Sequence, residues 1–424
     1  MSFGKGINVE NNPYLSELFF SAWSDNFLFP GEFEFWSCFL NIPLVKRKFY
    51  YSTAGGTQTK GIAYGFKAHY ANLLRGKTVL VYDVPEWLET EAPDDSQPIR
   101  LKRIRQYPGF SCNLKSFNTP DGYLKSFVSA KSRYKFRKYA SDLEKCFRIR
   151  YGMHGQELNA DEFEKIFGQF KKLLTKRFEA KQTRNNNLED SEWELMRLMA
   201  RAHLAAGTGG IFITYDAEKP IAMSFLLFYG KRVIDVMRVF DIDYAPFRIG
   251  SVSIYRQLEW CIGSNYETLD FSKGYFDYKK TWSSTHYYFE YHILYDSKSY
   301  KSALTANALT FYFKIKQWAR ERNFNELFHR LKYVLGTLLQ KGQVKPRATW
   351  TEMESQLEVP ANWETMNEKD PRATIIFPAL IEILYKTKKS LNDGQLFMNS
   401  TIPSEYYFRL ESRFYEIKTQ GNQT

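Results

Sequence analysis

The spacing of apolar positions changes repeatedly between residues 129 and 296, and each change marks an element. Phe136, Ala140, Leu143 and Phe147 recur at helical spacing, which predicts a helix over roughly 129–145. The run Cys146–Tyr151 reads as a strand. Asn159 followed by Glu162 matches a helix-opening capping box, and Phe163, Ile166, Phe167, Phe170, Leu173, Leu174 and Phe178 then form a wide apolar stripe assigned to the core. A second helix starts near Ser191, carries Trp193, Met196, Met199 and His203 along one side, and stops at Gly207. His203 on that face reads as a packing histidine. Three β-rich runs follow, Ile211–Tyr215, Pro220–Tyr229 and Arg232–Phe240, divided by turn-forming residues, and they predict an antiparallel meander. A helix over about 248–262 closes at Gly263, residues 266–271 form a strand, a polar bend follows, and His286–Tyr295 alternates with strand period.

The flanks are less regular. Residues 1–128 mix short aromatic runs such as Phe33–Leu40 with glycine-containing loops such as Ala54-Gly55-Gly56-Thr57, which predicts mixed α/β structure. Tyr82–Pro98 holds several acids and three prolines and reads as an exposed loop. Ser299–Arg322 and Glu326–Lys341 read as two long helices, ahead of an acidic linker (Gly342–Pro371), an apolar segment (Thr374–Tyr385) and an aromatic-rich end.

Composition bounds the class. At 424 residues and 44% hydrophobic content the chain can fill two to three domain cores, and 17% aromatic residues excludes a disordered chain. The net charge of +12 calls for anionic partners: nucleic acid, an anionic surface or phosphate-bearing molecules. Much of it sits in residues 131–150, where eight basic residues face only Asp142 and Glu144. Five of the basic residues lie in the first turns of the 129–145 helix, where the helix dipole disfavours them. The reading divides there between a solvated face and an anion-facing surface. Cys38, Cys112, Cys146 and Cys261 have no paired spacing, so neither a metal site nor a disulfide framework is signalled. The polar first residues lack a secretory layout and no run reaches membrane-spanning length, so a cytoplasmic, soluble protein is expected.

The polar bend carries the chemistry. Asp270-Phe271-Ser272-Lys273-Gly274 leads to Tyr278-Lys279 and Trp282, in a D-F-x-x-G-x-x-x-Y-K-x-x-W spacing at a strand end. With Ser129–Arg137 and Arg248-Ile249-Gly250, this segment resembles the GNAT acyltransferase superfamily, and within it the cellulose-biosynthesis-associated, FemAB-like group. The resemblance covers 129–296 and rests on Lys131, Arg133, Asp270, Gly274, Tyr278, Lys279 and Trp282. It implies an α/β GNAT-type fold in two tandem copies: a degenerate first copy over 1–128, an acyltransferase domain over 129–298 and a helical C-terminal extension over 299–424. One departure stands out: the usual Q/R-x-x-G-x-G/A diphosphate loop is reduced to Phe247-Arg248-Ile249-Gly250-Ser251.

The implied reaction takes an acetyl or longer acyl group from acyl-CoA to an amine or hydroxyl of a small-molecule, sugar or lipid precursor, with no metal. Aminoacyl-tRNA as donor and an inactive GNAT-fold scaffold are the alternatives, and tRNA is the only nucleic acid in view. The donor's diphosphate is expected at Arg248, Ile249, Gly250 and Ser251, where helix-start N–H groups are unpaired, and its pantetheine along the backbone of Val239 and Phe240. Tyr278 protonates the leaving thiolate or merely packs. Asp270 orients or deprotonates the acceptor, or instead caps the bend or pairs with Lys279. Lys279 and Arg133 bind phosphates or an acidic acceptor, or hold a salt bridge, with Lys131 and Arg137 on the same substrate-binding surface. Replacing Lys279 or Asp270 by alanine is expected to abolish transfer with little change in melting temperature.

Overall fold

Local sequence starts and stops the elements. Ser129 caps α4 (Ala130–Cys146) through the Ser132 N–H, and Asn159 with Glu162 forms the expected capping box at the start of α5 (Ala160–Lys181). The structure, a computed structural model, describes residues 12–27, 33–36, 43–53, 58–66, 70–88, 90–183, 185–322, 348–353, 359–360, 362–367 and 370–419. The expected helix Glu326–Lys341 and the Ala54–Thr57 loop lie outside these residues, as does the second half of the Phe33–Leu40 run.

Ahead of α4 come α1 (Glu17–Phe27), β1 (Phe33–Phe35), β2 (Pro43–Lys46), β3 (Tyr51–Ser52), α2 (Tyr70–Leu73), β4 (Thr78–Pro85), β5 (Ile99–Asn113) and α3 (Pro120–Lys125). After α4 and around α5 lie β6 (Ile149–His154), α6 (Asp190–Ala205), β7 (Gly209–Asp216), β8 (Lys219–Tyr229), β9 (Arg232–Phe240), α7 (Ile249–Gly263), β10 (Thr268–Lys273), α8 (Asp277–Trp282) and β11 (Thr285–Asp296). The chain continues with α9 (Tyr300–Glu321), β12 (Ala348–Glu352), β13 (Trp363–Thr365), α10 (Ala373–Thr387), β14 (Gly394–Asn399), β15 (Glu405–Leu410) and β16 (Arg413–Thr419).

Two expectations shift. Cys146 ends α4 rather than opening a strand, because its thiol is drawn into the core against the Leu384 carbonyl. Tyr82–Pro85 belongs to β4, not to a loop: its apolar neighbours Val79, Leu80, Val81 and Val84 are buried in the sheet, and the loop begins at Glu86.

Strands β1–β11 form one mixed sheet in the order β1-β2-β3-β4-β11-β5-β10-β9-β8-β7-β6. Among the described residues only β3–β4 and β9–β10 are parallel pairs; the others run antiparallel. The order is a repeat. In the second half the β7–β8–β9 meander, then α7, leads to β10 parallel to β9; in the first, β1–β2–β3, then the short α2, leads to β4 parallel to β3. The strand after each parallel pair is exchanged, since β5 pairs β10 and β11 pairs β4. Even the irregularities correspond. Both β4 and β10 carry one extra residue against their neighbour, and each has a non-glycine residue at positive φ there, Asp83 at 58° and Ser272 at 59°. This is the α/β, GNAT-type architecture in two copies with a reduced first copy. Because β5 lies between β10 and β11, the sequence boundary at 128/129 has no counterpart in the sheet.

Helices α1, α5 and α6 cover one face with a core including Phe19, Trp23, Phe167, Phe170 and Met196, while α3 and α7 pack on the other around Leu124, Leu258 and Trp282. His203 is a core residue as expected: its Nδ1 meets the Thr208 hydroxyl at 2.8 Å, and burial pushes its pKa down to about 4. The C-terminal extension is not helical throughout. Besides α9 and α10 it holds an antiparallel sheet, β12-β16-β15-β14-β13, because Leu396, Tyr406, Phe408, Tyr415 and Ile417 alternate toward α10.

Candidate active site

Strands β9 and β10 pair at Arg232–Thr268, Val233–Leu269 and Ile234–Asp270, and then part. Beyond Asp270 the chain turns through the bulge at Ser272 and Gly274, whose φ of 127° only glycine adopts readily. The Asp270 carboxylate is what holds this turn. It accepts from the Ser272 N–H at 2.7 Å, from the Tyr287 hydroxyl at 2.8 Å and from Arg232 Nη1 at 2.9 Å, and the residue is 1% exposed. Arg232 in turn stacks on Trp87 at 3.9 Å. Of the two readings of Asp270, bend capping is the one its bonding satisfies, with Arg232 rather than Lys279 as the ion-pair partner.

Helix α8 follows the bulge and brings back Tyr278 and Lys279. The Lys279 ammonium donates to the carbonyls of Ser272 at 3.2 Å and Lys273 at 2.7 Å, and among the described residues it has no ion pair. The residue is 4% exposed, so burial, and next the charge of Lys60, pushes its pKa down to about 7. The Tyr278 hydroxyl has no hydrogen-bond partner among the described residues; burial and the Asp235 carboxylate raise its pKa, so it keeps its proton at neutral pH. Phe271 and Trp282 are core residues, as expected, and Trp282 stacks on Phe136 of α4 at 4.3 Å.

One participant was not foreseen. Lys60, from the 58–66 segment, donates to the Val236 carbonyl in the part of β9 that has left β10. Nothing in a lone lysine of an unpatterned segment signals this. Lys273, on the bulge itself, pairs with Asp83 of the matching bulge at 2.8 Å. The split therefore gathers lysines from both halves of the chain.

The expected donor residues are brought together differently. Val239 is buried in the core, and Phe240 packs against Gly250, where a Cβ would lie 2.9 Å from the ring. Arg177 stacks on the same ring at 4.2 Å. Arg248 caps α7 with a left-handed φ of 54°, Ile249 is buried beneath α10, and the Ser251 N–H is spent on the Arg248 carbonyl at 2.8 Å. The single glycine is thus explained by ring packing. On α4, Arg137 pairs with Asp121 at 2.8 Å and Arg133 donates to the Val128 carbonyl at 2.5 Å, while Lys131 is exposed. Among the described residues no cluster of His, Cys, Asp or Glu could hold a metal, and no helix is long and apolar enough to cross a membrane.

Residues 130–280 match the family model described as the acetyltransferase (GNAT) domain. Similar solved structures include L-PGS from Bacillus licheniformis, at 11% identity over 68% of this chain and 90% of that one with a TM-score of 0.42. FemX is 10% identical over 59% of this chain and 83% of its own, with a TM-score of 0.40. A tandem GNAT protein from the clavulanic acid biosynthesis pathway is 10% identical over 59% and 77%, with a TM-score of 0.29. No curated protein matches the chain.

Proposed function

We propose that this protein is an acyltransferase working in the split between β9 and β10, moving an acyl group from an activated donor to an amine or hydroxyl. The observation that supports it most is the buried Lys279 amine, next in sequence on α8 to Tyr278 with its unbonded hydroxyl, where two parallel strands part within the region matching the acetyltransferase domain. With a pKa of about 7, Lys279 is about half neutral at neutral pH, so it can take the proton of the attacking amine or hydroxyl. The new bond forms between the acceptor's nitrogen or oxygen and the acyl carbon, and the bond to the leaving sulfur or oxygen breaks. The proton returns to that leaving group from the Lys279 ammonium, with the Tyr278 hydroxyl donating a hydrogen bond to it. Asp270 keeps the bend that aims both groups.

The donor proposed is acetyl-CoA or a longer acyl-CoA, and the acceptor a sugar, lipid precursor or other small molecule of a cytoplasmic pathway. A second donor, aminoacyl-tRNA, is favoured by a specific observation. The α7 start is closed by Ile249 and by Gly250 against Phe240, whereas Lys131, Lys135 and Lys138 of α4 are exposed and have no ion pairs among the described residues. Those lysines suit a phosphate backbone.

Thermal unfolding with each donor tests the choice, since ligand at about 100 times Kd adds about 2.7 kcal/mol. Stabilisation by acetyl-CoA or a longer acyl-CoA supports the first donor. Stabilisation by charged tRNA alone, fading steeply with salt, transfers the assignment to the second, and no effect from either removes the transferase reading.

A further inference from the structure

The first half of the chain has a split of its own. Strands β3 and β4 pair in parallel only at Tyr51–Val79 and Ser52–Leu80, and the chain then fills the gap with itself. Thr53 N–H donates to the Leu80 carbonyl and Ile62 N–H to the Asp83 carbonyl, both at 3.0 Å, and the Thr59 hydroxyl bonds the Asp83 carboxylate. These bonds plug the gap between β3 and β4 with the 58–66 segment. The plug has a consequence, because the residue between Thr59 and Ile62's neighbour Gly61 is Lys60, and its ammonium ends on the Val236 carbonyl of the other split.

We propose that Lys60 is a positioning residue of the β9–β10 site: the plug of the first split delivers its ammonium to the freed edge of β9, into the split whose β10 side holds Lys279. The inference rests on the transferase reading of that site. It stands on three features. An ammonium has three donors, and Lys60 spends one on Val236 while Lys279 spends two on Ser272 and Lys273, so neither cation is neutralised by a carboxylate among the described residues. The groups facing Lys279 are Lys60 from the plug, Asp235 from β9, and Asp270 and Lys273 from β10. Of these, Asp270 is bound to Arg232 at 2.9 Å, Asp235 to Arg238 at 2.5 Å, and Lys273 to Asp83 at 2.8 Å. After burial, Lys60 is the largest influence on Lys279 and favours the neutral amine, as Lys273 does, while Asp235 and Asp270 oppose it. Lys60 itself is pushed down to about 8 by burial, opposed first by Asp235 and reinforced by Lys273. The degenerate half is then a working part of the second half's site.

The test is a titration of Lys279 in the full-length chain, followed through the side-chain NMR signals of isotope-labelled lysine and assigned by the signal lost in Lys279→Arg. Lys60→Met moves the Lys279 midpoint upward by about one pH unit, as removal of one nearby like charge requires. Lys60→Arg, which keeps the charge, leaves it within a fraction of that shift. The alkaline shift appears equally in the acidic limb of the rate profile where transfer is measured, whereas the NMR midpoint moves even if no acyl transfer is found, which separates this inference from the transferase reading. An unchanged Lys279 midpoint in a folded Lys60→Met protein overturns it, and so does an equal shift in Lys60→Arg.

Discussion

Lys279 is an ammonium enclosed by protein whose hydrogen bonds go to the backbone carbonyls of Ser272 and Lys273, and that sets both its use and its cost. Its pKa is lowered in the fold to about 7 from an unfolded value near 10.5. Below about pH 7 it is charged in both states and the full burial penalty is present; between there and about 10.5 the unfolded chain binds more protons, so stability rises with pH. Lys279→Met removes the penalty. It is expected to raise the melting temperature at pH 6, by a stabilisation of about 1–4 kcal/mol, while abolishing transfer. Calorimetry at pH 6 and pH 10 checks this, the gain shrinking at the higher pH. Asp270 behaves oppositely, because its removal strands Arg232: Asp270→Asn costs on the order of 3 kcal/mol in urea unfolding. The burial and pairing of both residues thus predict changes in melting where the sequence alone predicts none, since these are three-dimensional facts that a motif does not contain. The motif did single out Asp270, Tyr278 and Lys279. Lys60 stayed hidden because it joins the site from a stretch without hydrophobic period.

At the scale of elements, the bulge in β10 depends on the strand beside it. Gly109 of β5 faces Tyr287 of β11, and a Cβ at that position would lie 2.2 Å from the tyrosine ring. Gly109→Ala is expected to push Tyr287 off Asp270 and destabilise the chain by about 1–3 kcal/mol, with a larger fractional loss in activity than Tyr287→Phe, which keeps the ring in place. Denaturant unfolding and initial rates on the two variants check it. Helices α4 to α7 and the β7–β9 meander were legible because each keeps one apolar period across its length. Strand β4 was not. Its polar end, Asp83 among acids and prolines, resembles a loop in sequence, whereas its backbone pairs with β11 and its carboxylate is bound by Lys273.

At the scale of the whole molecule, the chain's two halves and its extension share cores. Helix α10 seats Ile376, Ile381, Ile383 and Leu384 against Leu143 of α4, Phe247 and Ile249, so the extension closes over the start of α7. Leu384→Ala is expected to cost about 2–5 kcal/mol and to lower one cooperative transition rather than release a separate one, which differential scanning calorimetry reads directly. Sequence revealed the copy number and the mixed α/β class. Strand exchange between copies was not legible, because β5 and β11 have the same alternating pattern whichever partner they take. The sheet of the extension was missed for a related reason: its short, aromatic strands carry too few periods to separate from loops.

The central claim is acyl transfer governed by Lys279, and its most direct measurement is single-turnover transfer from acyl-CoA and from aminoacyl-tRNA by the native chain and by Lys279→Met across pH. The expected result is transfer from one donor class by the native chain, rising with pH through an apparent pKa of about 7, and a loss of at least about 100-fold in the folded variant. Transfer by Lys279→Met at the native rate, or no transfer from either donor by the native chain, would contradict it.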